Sequence, residues 1–307
     1  MRSPLAGLLF LVIFALSHAV RDTYFANTFQ SVSFLYVAAL AFGLSILLFG
    51  GAAVVSRPSD LRHLCAAPVR FVFLNVTTAF AWLAYFFALK HLEPAVVNMV
   101  YVGVGPLVIL VWSGAGQPTG RVGPFERIAY ICVGASLLGI MSISLFGLSG
   151  IAGDKSLTQI AALICVVLGG ISITVSHVLA RRFNDDGVGS AMVFGSRFIV
   201  TAVAAVTAEF LYGVPTMRPE IIDVSWLALL AFTLIVIPSF SLQFGIALSP
   251  VLAVNTIRAL GPVFVFAAQQ LDDRLSFSGA TLVCVLVFAI STELASGLRA
   301  RDELRRD

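Results

Sequence analysis

The sequence predicts an all-α integral membrane protein with ten transmembrane helices, arranged as two inverted five-helix repeats. The first observation behind this prediction is the composition. Of the 307 residues, 59% are hydrophobic and only 11% are charged, and the mean hydropathy is +0.99. Such a chain has too few charges to cover the surface of a water-soluble domain. The second observation is a series of apolar segments along the whole chain, and the third is a motif that occurs twice.

The apolar segments are each about 20 residues long, which is the length a helix needs to cross a hydrocarbon core of about 30 Å. Because they are continuously apolar, they predict helices and not the strands of a barrel. The first segment also fits a signal peptide, but removing it would leave nine spans and break the repeat, so we keep it as a helix. The predicted spans are 5–20, 34–55, 70–90, 94–112, 128–148, 158–179, 190–212, 225–247, 250–269 and 277–298.

The repeated motif is Leu92-Glu93-Pro94 followed by Gly105-Pro106, which returns as Leu248-Ser249-Pro250 followed by Gly261-Pro262. Both parts recur at an offset of 156 residues, about half of the chain. The motif therefore predicts an internal duplication.

The duplication divides the chain into a first repeat at 1–150, a second repeat at 151–298 and a basic cytoplasmic tail at 299–307. Because five is an odd number, the second repeat enters the membrane from the opposite side. Inverted repeats of this kind are typical of secondary transporters that work by alternating access.

Pro106 and Pro262 fall inside the fourth and ninth predicted spans, where a proline removes a backbone hydrogen bond and bends the helix. The preceding Gly105 and Gly261 allow a neighbouring helix to approach closely. These four residues have two interpretations. They either form kinks that serve packing alone, or they act as gating elements.

The Lys and Arg residues are distributed unevenly. With the amino terminus inside, twelve lie in cytoplasmic segments, two lie within spans, and five lie in outer segments, namely Arg21, Lys90, Lys155, Arg218 and Arg274. This bias predicts that both termini are cytoplasmic. The excess of Arg over Lys suggests a GC-rich bacterial genome and hence the inner membrane. The basic loops are too short and scattered to predict nucleic-acid binding.

The cysteines and glycines give no sign of a metal, disulfide or nucleotide site. Four cysteines occur singly, and neither a CxxC nor a GxxxxGK[ST] motif is present. We therefore expect no cofactor, no metal and no ATP-driven pump.

Arg258 is the most unusual polar residue, because it is predicted near the middle of the ninth span, where a charge is costly unless it is compensated. Asn255 lies three residues earlier, on the same helical face. We expect Arg258 to bind an anionic group of a substrate, assisted by Asn255. The alternative is that Arg258 contacts helix carbonyls or water and only fixes the kink.

Arg197 and Glu293 are both predicted on the inner side of the membrane, where they could form a structural ion pair; the alternative is a role in gating or binding. No carboxylate is predicted near the midplane, so a carboxylate-based proton carrier is not expected. His177 could relay a proton but is more typical of an interfacial histidine.

A polar and aromatic face follows helical spacing on the third span, and a shorter one lies on the fourth. Such faces point into the protein, because lipid offers their polar groups no partner. Together they predict the wall of a small-molecule pocket, although Trp82 and Tyr85 would also suit an interfacial aromatic belt. The residues are Asn75, Thr78, Trp82 and Tyr85 on the third span, with Asn98 and Tyr101 on the fourth.

These features, together with Arg197-Phe198 in the seventh span, resemble the drug/metabolite transporter superfamily, specifically its bacterial EamA-type members. The sequence departs from the family pattern in the first repeat, where Ala41 stands opposite Arg197. The resemblance implies ten helices around a central cavity, and export is the commoner direction among EamA-type carriers. It does not fix a substrate, because members carry amino acids, sugars, nucleotide sugars and other metabolites.

The sequence thus predicts a secondary transporter, and not an enzyme, for a small polar metabolite such as an amino acid or an amino-acid-derived carboxylate. Its expected partners are that small molecule and the lipid bilayer, with no nucleic acid, in a monomer or homodimer. The alternatives are a carrier of phosphorylated metabolites or nucleotide sugars, which a second cation in the cavity would favour, and a lipid flippase.

Overall fold

The computed structural model describes residues 4–114, 123–151, 157–212, 221–249 and 251–304, and these are helical with short connections. No strand occurs in these ranges. Several helices begin at a proline, which fits the first turn because its missing N–H has no partner there. The helices are α1 (Pro4–Thr28), α2 (Phe34–Ser56), α3 (Pro58–Ala66), α4 (Pro68–His91), α5 (Pro94–Gly114), α6 (Pro124–Leu145), α7 (Leu157–Asp185), α8 (Ser190–Tyr212), α9 (221–248), α10 (Val251–Gln269) and α11 (Gly279–Leu304).

Eight of these helices are long and apolar enough to cross a membrane, namely α1, α2, α4, α6, α7, α8, α9 and α11. The described apolar stretches of α5 and α10 are shorter, Pro94–Leu110 and Thr256–Gln269. Large apolar side chains are exposed on the outside of the bundle, among them Val55, Phe210 and Ile290. Exposed apolar side chains are unfavourable in water but not in the hydrocarbon of a bilayer. The protein is therefore a multi-pass, all-α membrane protein.

Several predicted boundaries differ from the structure, and two of these differences change where charged residues lie. The first predicted span ended at residue 20, but α1 continues to Thr28 and places Arg21 in the protein interior, at 2% exposure, instead of in an outer loop. A charged residue suggested the end of the span, yet the charge is compensated by neighbours inside the protein. The predicted tail at 299–307 begins within α11, which continues to Leu304; residues 305–307 lie outside the described ranges.

The helix packing follows the offset of the sequence motif. The bounds of α2 and α8 are separated by 156 residues at both ends. The helix α1 packs on α9 and α10, as α7 packs on α4 and α5. Three further contacts join helices at equivalent positions in the two halves, α2 with α8, α5 with α10 and α6 with α11.

Two helices depart from regular geometry where they meet. The helix α2 contains a π-helical turn at Ile46–Gly50, and α8 is interrupted at Arg197 and Phe198. A Cβ atom added to Gly195 would lie 2.2 Å from the backbone nitrogen of Gly50, so the two backbones are in direct contact there. Only glycine permits so close an approach. The interruption of α8 directly follows this contact and places Arg197 toward the centre of the protein.

Candidate binding cavity

A cavity lies among α1, α4, α5, α7, α8, α9 and α10, with about 80 Å³ of space for the centres of water molecules. A single water needs about 10–15 Å³ by this measure, so the cavity has room for several waters or a small metabolite. It combines aromatic walls with a few polar groups, which is typical of small-molecule sites.

The charged residues that line the cavity are all basic. Arg21, Arg197 and Arg258 line it together with His18 and His177, and no Asp or Glu is among the lining residues that the structure describes. The one carboxylate that forms an ion pair with this set in the described structure is that of Asp22, which is fully buried beside Arg21. The electrostatics of the cavity therefore depend on how far Asp22 neutralises the three arginines.

Asp22 is the centre of a hydrogen-bonded cluster at the wall of the cavity. Its Oδ1 atom accepts hydrogen bonds from Arg21 Nε at 2.8 Å and from Arg21 Nη2 at 2.6 Å. Its Oδ2 atom accepts from Tyr85 Oη at 2.5 Å and from Asn98 Nδ2 at 2.8 Å. The Asp22 carboxylate thus binds Arg21 and one residue each of α4 and α5. A buried charge needs partners of this kind to be stable.

His18 and Arg21 complete this cluster from the same helix. Arg21 Nη2 lies 2.6 Å from His18 Nε2, and His18 Nδ1 lies 3.3 Å from Asp22 Oδ2. The Arg21 guanidinium also lies over the rings of Trp82 and Tyr85, with its Cζ atom 5.3 Å from each ring centroid. These contacts fix Arg21 in one position against the cavity wall.

The guanidinium group of Arg197 has hydrogen-bond partners for only some of its N–H groups in the described structure. The residue is 4% exposed, and its Nη2 atom donates to Ser176 Oγ at 3.2 Å. The Nε atom is buried without a hydrogen-bond partner among the described residues. Its Cζ atom lies 5.3 Å from the ring centroid of Phe198, which also lines the cavity. The cation is therefore held in place without a counter-ion.

Arg258 lies on α10 and lines the cavity, as the sequence predicted. None of the described residues forms an ion pair or a hydrogen bond with its guanidinium group. The alternative interpretation predicts contacts between Arg258 and helix carbonyls, and the described residues show no such contact. A cation without a protein partner beside a cavity is suited to bind an anion.

The aromatic residues form the walls. Trp82, Tyr85 and Tyr101 line the cavity, and the rings of Tyr85 and Tyr101 are 4.5 Å apart between centroids. Phe194 and Phe198 of α8 line it as well. Besides Arg197 Nε, three lining residues hold buried polar atoms without a partner in the described structure, which are Trp82 Nε1, Asn98 Oδ1 and Tyr101 Oη. Such atoms are costly to bury and are satisfied when a ligand or water binds.

Two residues predicted for the pocket wall lie behind it. The hydroxyl of Thr78 is 2.6 Å from Ser176 Oγ, so Thr78 contacts Arg197 only through that serine. Asn75 accepts a hydrogen bond from the backbone N–H of Val200 at 3.3 Å, just after the interruption of α8. Asn75 therefore satisfies a backbone donor that the broken helix leaves free. The i, i+3, i+7 spacing identified the inward face but not the depth of the cavity along it.

The remaining predicted residues have different outcomes. Gly261 lines the cavity, and a Cβ atom there would lie 3.5 Å from Asn98 Oδ1. A Cβ atom at Gly105 would lie 3.0 Å from Thr174 Oγ1, so Gly105 is a packing contact with α7. Pro106 and Pro262 lie inside continuous helices. Asn255 belongs to α10, but its side chain lies outside what the structure describes, so its role remains a prediction.

The predicted ion pair between Arg197 and Glu293 is wrong. Arg197 donates to Ser176, whereas Glu293 Oε2 accepts from Thr256 Oγ1 at 2.7 Å. No ion pair joins them in the described structure, because similar depth in the membrane does not make two helices neighbours. The expectation that no carboxylate lies near the membrane midplane stays a prediction, although α1 does bury one carboxylate, that of Asp22, inside the protein.

Sequence reasoning missed His18 and Arg21 as cavity-lining residues, missed Asp22 as their buried partner, and gave His177 little weight. The signal was present, because His18 precedes Arg21 by three residues and Asp22 by four, the spacing of one helical face. The first span was ended at residue 20, before the two charged residues. No group of three potential metal ligands occurs among the residues that the structure describes.

No family model matches the chain, and no curated protein matches it. A search of solved structures finds one described only as "Crystal structure of protein". It has 22% sequence identity to this chain, the match covers 98% of both chains, and the TM-score is 0.64. At this identity the similarity shows a shared fold over the full length and nothing about the ligand.

Proposed function

We propose that this protein is a secondary transporter that moves a small polar metabolite with an anionic group through the central cavity by alternating access. The observation that carries the proposal is the cavity itself, which lies among membrane helices and is lined by three arginines, with no acidic residue in the described part of its lining. A cavity of this charge concentrates anions. The proposal does not include catalysis or a cofactor.

The transport mechanism rests on ten spans in two inverted repeats. Two observations support this arrangement. The bounds of α2 and α8 differ by 156 residues, and the contacts of α1 with α9 and α10 match those of α7 with α4 and α5. A protein built in this way has two conformations of similar energy that open to opposite sides. The helices α5 and α10 are then the fourth and ninth spans, which cross at the cavity.

We propose a bacterial inner-membrane location with both termini in the cytoplasm, as a monomer or homodimer. The inclusion of Arg21 within α1 removes one of the five basic residues assigned to the outer side, so the excess of cytoplasmic Lys and Arg increases. The EamA-type resemblance remains part of this proposal and favours export.

The proposed substrate is an amino acid or an amino-acid-derived carboxylate. Its carboxylate would bind Arg258, the cation that has no protein partner in the described structure. An N–H group of the substrate would donate to Asn98 Oδ1, which is a buried acceptor without a partner. Trp82, Tyr85 and Tyr101 would contact its apolar part.

A carrier of phosphorylated metabolites is the second candidate, and one observation favours it. Arg197 lines the same cavity as Arg258, so a second cation is available for a phosphate group.

The test is counterflow in liposomes that contain the purified protein. Labelled amino acids, dicarboxylates and phosphorylated sugars are offered separately, and liposomes with Arg258→Gln protein are the matched control. We expect flux of one class with the wild-type protein and its loss with the variant. No flux of any class by folded protein would contradict the proposal, and so would equal flux by the variant.

A further inference from the structure

The cavity contains more positive charge than the protein neutralises. Asp22 is the one carboxylate that contacts a cavity-lining arginine in the described structure, and both of its oxygens are already occupied. Its partners are Arg21, Tyr85 and Asn98, so Asp22 neutralises Arg21 alone. Arg197 and Arg258 remain without a counter-ion.

Other acidic side chains do not supply the missing charge. Glu293 is the acidic residue predicted to pair with Arg197, but its described partner is Thr256 and it does not line the cavity. The buried Glu93 lies elsewhere, where it accepts from the Gly150 N–H at 2.7 Å and from Gln269 Nε2 at 2.5 Å. The two histidines of the lining add no negative charge. Among the described residues, the cavity lining therefore has two more positive charges than the carboxylates in contact with it can neutralise.

Uncompensated charge inside a membrane protein is unfavourable, and it becomes favourable when an anion of matching charge binds. A monoanion would leave one of the two arginines without a partner. Resting on the proposed function, we infer that the transported substrate carries two negative charges, as a dicarboxylate or a phosphate monoester does. One anionic group, or one face of the phosphate, binds Arg258 and the other binds Arg197.

The partner atoms in the cavity agree with this assignment. Arg197 Nε is buried with no partner, while the Nη2 atom is fixed by Ser176, so an outer edge of the guanidinium remains for a ligand. Trp82 Nε1 and Tyr101 Oη are further donors without partners in the described structure. Most of the unsatisfied polar atoms at the cavity can thus donate hydrogen bonds, which suits a substrate rich in acceptor oxygens.

The experiment compares two matched pairs of ligands by binding to purified protein at pH 8. Succinate is compared with its monoamide, and glycerol 3-phosphate with its methyl ester, so each pair differs by one negative charge. We expect the preferred dianion to bind at least about tenfold more tightly than its monoanionic partner, since it gains a second charge-assisted contact. The pair with the larger ratio identifies the substrate as a dicarboxylate or a phosphate monoester.

The variants Arg197→Gln and Arg258→Gln are each expected to reduce this ratio to below about threefold. Arg182→Gln is the matched control, because Arg182 lies at the separate surface groove near Arg70 and should leave the ratio unchanged. Lysine variants at 197 and 258 keep the charge but lose the two-pronged geometry, so they should retain part of the ratio. The lysine variants replace the glutamine variants in this test if a glutamine variant does not fold.

Equal binding of both members of each pair by the wild-type protein would overturn the inference. So would a ratio that survives both glutamine variants, or a folded protein that binds neither pair. The proposed function fails separately: a dianion that binds with the expected ratio but does not cross the liposome membrane contradicts transport alone. Flux of a monocarboxylate without a preference for dianions supports transport and contradicts the inference.

Discussion

Val102 of α5 and Arg258 of α10 line the same cavity and are separated by the 156 residues that separate the two copies of the repeated motif. The equivalent position of one half is apolar and that of the other is cationic. A duplicated framework therefore has an asymmetric cavity, and the difference lies on α5 and α10, two helices that pack on each other.

This asymmetry predicts that Arg258 is essential and Val102 is not. We expect Arg258→Gln to lower transport by more than about tenfold while the protein remains folded, because a charge-assisted contact to the substrate is lost. Val102→Leu should change transport by less than about threefold. Initial rates in liposomes, normalised to the folded protein present, measure both. Equal losses in the two variants would contradict the assignment.

The Asp22 cluster predicts a large effect on stability. Asp22→Asn removes the negative charge that both Arg21 nitrogens contact, and breaking one partner of a buried ion pair costs about 3–5 kcal/mol. The control is Asp186→Asn, which removes the exposed partner of Arg70 and should cost no more than about 1 kcal/mol. Thermal unfolding in detergent measures both, and a similar small effect at the two positions would show that the cluster is not structural.

Asn75 should be a structural residue and not a binding residue. Asn75→Leu leaves the Val200 N–H without its acceptor, so we expect a loss of about 1–2 kcal/mol in stability with little change in substrate affinity. Asn98→Leu is the comparison, because Asn98 both binds Asp22 and lines the cavity, and it should lower stability and affinity together. A marked loss of affinity in Asn75→Leu would indicate that Asn75 contacts the substrate.

The contact between α2 and α8 predicts that Gly195 cannot be replaced. The Cβ atom of Gly195→Ala would lie 2.2 Å from a backbone nitrogen and 2.5 Å from the Cα atom of Gly50, and backbone atoms cannot move aside cheaply. We expect a loss of about 3 kcal/mol or more. Gly43→Ala on α2 meets nothing within 4 Å and should be neutral or slightly stabilising. The yield of monodisperse protein and its unfolding temperature distinguish these outcomes.

The loop between α10 and α11 predicts a pH dependence. Hydrogen bonds from the Arg274 side chain lower the pKa of Asp272, and Arg274 also donates to the Ala26 carbonyl at 3.2 Å. Because the folded pKa is lower than the unfolded value of about 3.9, this stabilisation is complete above that value and is lost as the pH falls through the folded pKa. Asp272→Asn should therefore lower stability by about 1 kcal/mol at pH 7 and by less at pH 3. A difference that is the same at both pH values would exclude this ion pair as its source.

The sequence predicted much of the cavity wall from helical spacing. Trp82, Tyr85, Asn98, Tyr101 and Arg258 were identified and do line it. Helical periodicity shows which side chains share a face, and an apolar solvent dictates that the polar face points inward. Neither argument gives the position along a helix at which the cavity begins. Asn75 and Thr78 were therefore assigned to the cavity lining, although they contact the residues behind it.

By itself, the sequence determined that the chain is a membrane protein of long apolar helices, because composition and segment length decide how a chain meets the bilayer. It also singled out Arg258, since a charge in an apolar span requires an explanation. Only the tertiary structure decided which charges are compensated. Arg21 is neutralised by its neighbour Asp22, whereas Arg197 contacts Ser176 and not Glu293. Pairing depends on distances of a few ångströms between helices that are far apart in sequence, and those distances follow from packing.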